Sequence, residues 1–577
     1  MAKTTHQSHQ FTTSACTLAL LVSCGYAQAQ AVPDAGALQK QIEQQLKTAP
    51  AQQLGTTPRA PHDLGSPRQD VVSFTVSGFE FVGNTLLNNE NLQAIVAPYA
   101  GQRLDIDQLK KIADLVAERY RDAGWMVRVY LPKQDVQNGV VKLQIVEAKF
   151  GATVIQGTQS RVAPEFFTNA IQNAQASGAH IATQRIDRAL LLLNDIPGLM
   201  AAGNLIEGQQ AGQTNLLLGV EDGPALAGNV SLDNYGSRST GLERVLASIN
   251  INGPLQLGDQ LGLTALKTQG SDYQRVGYTL PVGYDGWRAG AHATHLTYGL
   301  VGDFASLGAK GSSISTGLDA SYALLRSQPT NINLVASFDQ KRFDNNNATG
   351  SVSHYNIDVY SLGVNATQLD NWNGGGMSNA SATLTTGKVN LNGSANQSTD
   401  SQGPATAGNY SKLSLSLSRL QKLDTDLSGY LAFNMQMANK NLDSSERLYL
   451  GGASGVRAYP SSEGGGSQGH TLTAELRKQL DSHYTVTGFY DRGHAQAFKN
   501  NAYADGSASL NAGTTPNNYT LSGYGASLAW QSLTGTELRA TFARRIGTSP
   551  IANATSGNDG DGTRKLNRLW VNASVNF

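Results

Sequence analysis

Cysteine is almost missing from this chain. Its two thiols, Cys16 and Cys24, both lie close to the N-terminus. A chain processed beyond them would hold no disulfide, no thiolate nucleophile and no cysteine-bound metal. Charge is scarce as well, at 15% of residues against roughly 25% in ordinary soluble domains. The 43 basic and 43 acidic residues cancel, which argues against nucleic acid as a partner. Beyond the N-terminal segment no apolar run approaches the ~18 residues of a transmembrane helix. A membrane role would then require a closed β-barrel, the other structure that satisfies every backbone polar group within lipid. Signatures of catalysis are also wanting: the sequence has no GxxxxGK[ST], no HExxH, and no G-x-S-x-G in a supporting context. Its ten histidines are scattered, and His292 and His295, at i and i+3, would point to opposite faces of a strand. Neither an enzyme nor a cofactor is expected.

Glycine, by contrast, is abundant, at 62 of 577 residues where about 7% is usual. At the N-terminus, Lys3 and a polar stretch precede the apolar run "CTLALLV" and the small residues of "CGYAQAQA". That is the pattern of an export signal over residues 1–29, cleaved after Ala29. The stretch "LVSC", Leu21 to Cys24, also has the form of a lipoprotein signal, so lipidation of Cys24 stays open. Within residues 30–48, Asp34 can cap a helix whose Leu38, Ile42 and Leu46 form one stripe. Residues 49–72 are rich in Pro, Gly and polar side chains and read as a linker that tethers this helix.

Two similar units follow, over residues 73–148 and 149–223. Each reads as strand, two helices, two strands, a small α+β module with open sheet edges. In the first, "SFTVSGFEFVGNTLL" is strand-like, and Ile106, Leu109, Ile112, Ala113, Val116 and Tyr120 share one helical face. Two strands then close around Asn138-Gly139, a hairpin signal. In the second, a strand near Ala152–Ile155 precedes helices near 164–173 and 183–194 and strands near 199–207 and 214–221.

From Pro224 onward helical periodicity disappears and strand-length alternation replaces it. In "YTVTGFYDRG", Tyr484, Val486 and Tyr490 oppose Thr485, Thr487 and Asp491. In "TLTAELRKQL", Leu472, Ala474 and Leu476 oppose Thr473, Glu475 and Arg477. One face carries Ala, Gly and single branched residues, and the other carries charge beside Ser and Thr. That suits a wet lumen and a lipid-facing exterior over residues 224–577, with roughly 14 to 18 strands. The closing "LWVNASVNF" alternates cleanly to Phe577.

Two stretches of this region stand out, Val456-Arg457-Ala458-Tyr459 in a glycine-rich loop and Phe489-Tyr490-Asp491-Arg492-Gly493 on a strand. They resemble the "VRGY/F" and "FxDxG" motifs of the two-partner secretion transporters of the outer membrane. These are the haemolysin/adhesin secretion-activation proteins, relatives of the barrel-assembly machinery. Ala458 stands where that pattern has glycine, the residue best suited to φ > 0. The resemblance implies a sixteen-stranded antiparallel barrel in the outer membrane, two POTRA domains in the periplasm, and a plug formed by the N-terminal helix. It further implies that Arg457 and Tyr459 lie on a loop folded back into the lumen, with Arg457 locked to Asp491. By alternation Glu475 is a further acceptor. Phe489 and Gly493 complete the strand motif, and Phe577 serves as a C-terminal assembly signal. The implied function is secretion of an unfolded exoprotein that carries an N-terminal secretion domain. The alternative is a factor that inserts other barrels. Outer-membrane lipid, and the barrel-assembly machinery during biogenesis, are the other implied partners.

Overall fold

The computed structural model of the chain describes residues 33–47, 73–136, 138–157, 161–210, 212–512 and 515–577. The export signal, Cys24 and the linker over 49–72 lie outside the described residues. No helix among the described residues is long and apolar enough to cross a membrane.

Sixteen antiparallel strands close a barrel, running from Leu226–Asp233 round to Asn567–Asn576. Connections at one end are short, as at residues 283–286, 423–426 and 480–483. At the other end they are long, as at 391–407, 439–467, 497–517 and 546–566. The two terminal strands of the barrel pair from Asn572↔Asp233 to Asn576↔Asn229. The Phe577 amide then donates to the Gly228 carbonyl at 3.0 Å, and the Gly228 amide to the Phe577 carbonyl at 2.8 Å. Strand alternation sorts the side chains: Val230, Leu232, Leu362, Leu431, Leu569, Val571 and the Phe577 ring face outward and are exposed. Ser231, Asp233, Ser313, Ser315 and Asp491 face inward and are buried. An apolar exterior around a polar interior is the pattern lipid selects.

The first module runs β1 (Ser73–Thr75), β2 (Gly78–Val82), α2 (Asn89–Val96), β3 (Arg103–Asp105), α3 (Ile106–Asp122), β4 (Val127–Tyr130) and β5 (Val140–Glu147), with α1 (Ala35–Lys47) preceding it in the chain. Its main sheet has the order β2-β5-β4. Asp105 and Gln108 form a capping box that starts α3. Leu109, Ile112, Val116 and Tyr120 are then packed on Phe79, Phe81, Val141, Leu143 and Ile145. Three sequence expectations need correction here. The stretch from Ser73 is two strands, because β1 leaves the main sheet to pair with β3. Ile106 is 53% exposed, since the helix begins there and its apolar stripe turns onto the sheet only from Leu109. Asn138 and Gly139, both at positive φ, lead directly into β5, but β4 ends at Tyr130, so they belong to a longer connection rather than a tight hairpin.

The second module comprises β6 (Lys149–Gln156), α4 (Pro164–Ala174), α5 (Thr183–Asn194), β7 (Leu199–Glu207) and β8 (Gln213–Asp222), with sheet order β6-β8-β7. Phe150, Phe167, Ile171, Ile186, Leu193 and Leu218 form its core. One residue, Ala148, separates the modules. Its amide donates to Met126 O at 3.1 Å, and its carbonyl accepts from Ile181 N at 2.9 Å. The second module sits on the short-connection end of the barrel. Arg326 pairs there with both carboxylate oxygens of Asp195, at 2.8 and 2.7 Å. Arg188 donates to the Ala323 carbonyl at 2.7 Å.

Candidate functional site

Among the described residues, α1 and the connection 439–467 are inserted into the barrel interior. The sequence stripe explains the seat of α1. Leu38 and Ile42 are buried in one cluster with Leu266, Tyr273, Leu296, Tyr298, Phe343, Tyr355 and Ile357, and Leu46 packs against it. Asp34 caps the helix by accepting from the Ala37 amide at 2.7 Å, and it also accepts from Ser444 Oγ at 2.8 Å. The Ala35 amide donates to Asn345 Oδ1 at 2.9 Å. Farther along, Gln41 bonds Ser462 and Gln45 bonds Arg244. Gly36 lies so near the connection that a Cβ there would stand 2.8 Å from Ser444 Oγ.

Two charged clusters fix the connection 439–467 to the wall. At the first, Arg457 donates through Nε to Asp491 Oδ2 and through Nη2 to Asp491 Oδ1, both at 2.8 Å. Its Nη1 donates to Glu475 Oε1 at 2.8 Å, and its backbone amide to Asp491 Oδ2 at 3.1 Å. The guanidinium lies 3.5 Å from the Phe489 ring centroid. Thr473 Oγ1 also donates to Asp491, and Arg477 to Glu475. Asp491 is 1% exposed. A buried charge is tolerated when its hydrogen-bonding capacity is filled in this way.

Each position of the strand motif has a steric or electrostatic reason. Phe489 offers its ring face to the guanidinium, and Asp491 binds it. Gly493 leaves space for the loop: a Cβ there would stand 3.0 Å from Val456 Cγ2 and 3.2 Å from Leu450 Cδ2. Tyr459 is buried beneath the loop tip, with the Arg545 guanidinium 4.2 Å from its ring centroid. Ala458 has no positive φ, and the left-handed positions lie on its flanks, at Gly452, Ser462 and Gly464. The alanine is therefore accommodated without strain. Phe577 is remote from this cluster and closes the barrel instead.

Several members of the site have no signal in the local sequence. Trp570 Nε1 donates to the Arg457 carbonyl at 2.7 Å. At the second fixing point, Glu446 is 2% exposed and receives Lys341 Nζ at 2.8 Å and Lys412 Nζ at 2.7 Å. Lys412 Nζ also donates to the Glu446 carbonyl at 2.9 Å, as Gln436 Nε2 does at 3.0 Å. Glu446 lies two residues from Ser444, so this ion triad holds the platform on which α1 begins. In the wall, His292 bridges Asp319 at 2.7 Å and Asp339 at 2.9 Å, while His295 lies on the exposed face. A Cβ at residue 317 would stand 2.6 Å from Asp339 Oδ1, so Gly317 makes room for the bridge. Among the described residues no group of three His, Cys, Asp or Glu side chains could hold a metal ion.

In the first module, Glu147 accepts from the amides of Thr85 (2.7 Å) and Leu86 (2.8 Å), the Tyr120 hydroxyl (3.0 Å) and the Thr85 hydroxyl. Burial pushes the Glu147 carboxyl up, but these donors outweigh it and hold it below the usual range. Burial, then the carboxylate, pushes Tyr120 up. His180 of the second module lies 3.6 Å from the same carboxylate.

Comparison with known proteins agrees with this architecture. Residues 212–515 match the family model described as haemolysin secretion/activation protein ShlB/FhaC/HecB, and residues 74–148 match the ShlB-type POTRA domain. The chain is 25% identical over 507 residues to the heme/hemopexin transporter protein HuxB of Haemophilus influenzae (strain 86-028NP), covering 84% of this chain and 88% of that one. It is 25% identical over 452 residues to the outer membrane transporter CdiB of Dickeya dadantii (strain 3937), covering 76% and 78%. In fold it is similar to the structure of CdiB from Escherichia coli, with a TM-score of 0.69 at 19% identity, over 96% of this chain and all of that one.

Proposed function

Because this chain belongs to the ShlB/FhaC/HecB family of haemolysin secretion/activation proteins, we propose that its barrel is held shut by α1 and positioned by the Arg457 cluster until cargo arrives. The protein is a two-partner secretion transporter of the outer membrane with its POTRA region in the periplasm, and it secretes an exoprotein. The cargo crosses the periplasm unfolded and docks through its N-terminal secretion domain on the two modules at residues 73–148 and 149–223. Open sheet edges there let an extended chain add as a strand. Displacement of α1 then opens the lumen, and folding outside drives the direction of transfer. Lipid contacts the apolar exterior, and the barrel-assembly machinery inserts the chain during biogenesis.

The observation that carries this reading is the occupied lumen. A helix and a loop fill a polar barrel whose short-connection end carries the second module, and both inserts are held by side-chain contacts. No catalytic role is assigned to any residue. Removal of residues 73–221 should abolish export of the cognate exoprotein while the barrel still inserts. Continued export by the bare barrel would remove the docking role.

A further inference from the structure

A cavity of about 470 Å³ lies where the second module meets the barrel, within the ~300–1,000 Å³ of ordinary binding pockets. Its walls have two characters. Phe166, Leu192 and Ile196 of the module, with Pro281 near the end of a barrel strand and Tyr284 of the short connection 283–286, form an apolar side. The Phe166 and Tyr284 rings lie 5.3 Å apart, edge to face. The opposite side is the barrel's own inner wall, carrying Ser321, Asn331, Asn333, Asn365 and Thr367. Alternation places these on the same face as Asp319, Asp339 and Phe343, so the cavity opens into the lumen.

The polar side is ordered. Asn333 stands opposite Asn365 across adjacent strands, and Asn331 opposite Thr367. Asn331 is taken by Arg326 at 2.6 Å, and Thr367 donates to Asn379 at 2.9 Å. The side-chain amides of Asn333 and Asn365 make no hydrogen bond among the described residues. A primary amide both donates and accepts, so this pair can serve an unpaired backbone N–H and C=O together. An extended chain presents that combination: backbone polar groups along its edges and side chains thrown to alternate sides. A lipid acyl chain would satisfy the apolar wall but leave the amides unmet.

We propose that this cavity is an entry vestibule for the exported polypeptide in extended form. Aromatic or large aliphatic side chains of the passing segment occupy the Phe166–Leu192–Tyr284 wall while its backbone is held by Asn333 and Asn365. The proposal rests on the secretion reading above and adds where the cargo first enters the barrel.

The test uses the full-length transporter in cells, with its cognate exoprotein as probe, stalled in transit by a folded domain fused to its C-terminus. A photocrosslinking phenylalanine analogue is placed at Tyr284, where it replaces a ring by a ring, and separately at Asn365. Crosslinks to the exoprotein at both positions are expected. Crosslinks at Asn365 without Tyr284 would overturn the vestibule and leave the secretion pore intact. Crosslinks at Tyr284 without Asn365 would show a surface that does not lead to the lumen, which also overturns it. Crosslinks at neither would remove both the vestibule and the pore reading. A second measurement compares two variants at equal barrel abundance. Leu192→Trp, which fills the cavity, should reduce secreted exoprotein several-fold, whereas Leu480→Trp, on an exposed short connection outside the cavity, should secrete normally. Equal secretion by the two would overturn the proposal.

Discussion

The Ala458 methyl group occupies the space that a side chain at Gly523 would need: a Cβ on Gly523 would overlap the Ala458 Cβ and stand 3.0 Å from the Arg544 carbonyl. The glycine that this contact demands is therefore on the barrel wall and not at the loop tip. Gly523→Val should dislodge the tip and impair secretion while the barrel still assembles, because a closed ladder of backbone bonds supports the barrel. Ala458→Gly should be tolerated. Secreted exoprotein at equal barrel abundance checks both, and normal secretion by Gly523→Val would show that the tip need not seat there.

Arg457 and Asp491 should behave as one unit. Breaking a buried pair from either side leaves an uncompensated charge, at a local cost of about 3–5 kcal/mol. Arg457→Ala and Asp491→Ala should each impair secretion, and the double variant should be little worse than either alone. Simple addition of the two losses would show that they act separately. Glu475 also binds Arg457, so Glu475→Gln should have a smaller effect than Asp491→Ala.

The α1 seat should be open to control from Glu446. Glu446→Gln removes the carboxylate that Lys341 and Lys412 share and loosens the platform at Ser444. Single-channel recordings in planar bilayers should then show more frequent opening than the unaltered protein. Deletion of residues 35–47 should raise conductance further. If Glu446→Gln opens no more often than the parent, the triad does not govern the helix.

Glu147 gives the modules an acid limit. Because its folded carboxyl lies below the usual value of about 4.3, its contribution is fully present above that pH and is lost as pH falls through the depressed value. Thermal unfolding of the full chain should show a module transition that moves down below about pH 4 while the barrel transition holds. Glu147→Gln should lower the module transition at neutral pH and flatten its acid dependence. An unchanged acid dependence in that variant would assign the effect elsewhere.

The sequence carries the inward orientation of Asp491 and Glu475 plainly, because a strand's period of two decides a face without any tertiary knowledge. The two motifs carry the position of Arg457. The ion triad of Glu446 is invisible in the same reading. Lys341 and Lys412 lie on strands separated by two others, and alternation says nothing about the height at which they meet a loop. Trp570 is hidden for a similar reason: its neighbours point outward, and only barrel closure brings its indole to the Arg457 carbonyl. The break between β1 and β2 has no such signal: Phe74 and Val76 alternate as on one strand, and only pairing with β3 separates the first of them from the main sheet.

Ala148 determines how far the transporter can reach. A hinge requires backbone that turns freely, yet the single residue between the modules has both its amide and its carbonyl engaged. The second module is fastened in turn to the barrel through Asp195 and Arg188. The arm below the membrane thus has a fixed length and bearing, and it does not sweep the space around its base. On the docking proposed above, encounter depends on diffusion of the cargo to a stationary landing strip. Speed of capture is then set by how much unfolded exoprotein the periplasm holds, and insertion of even a short flexible segment at Ala148 would convert a stationary receiver into a swinging one.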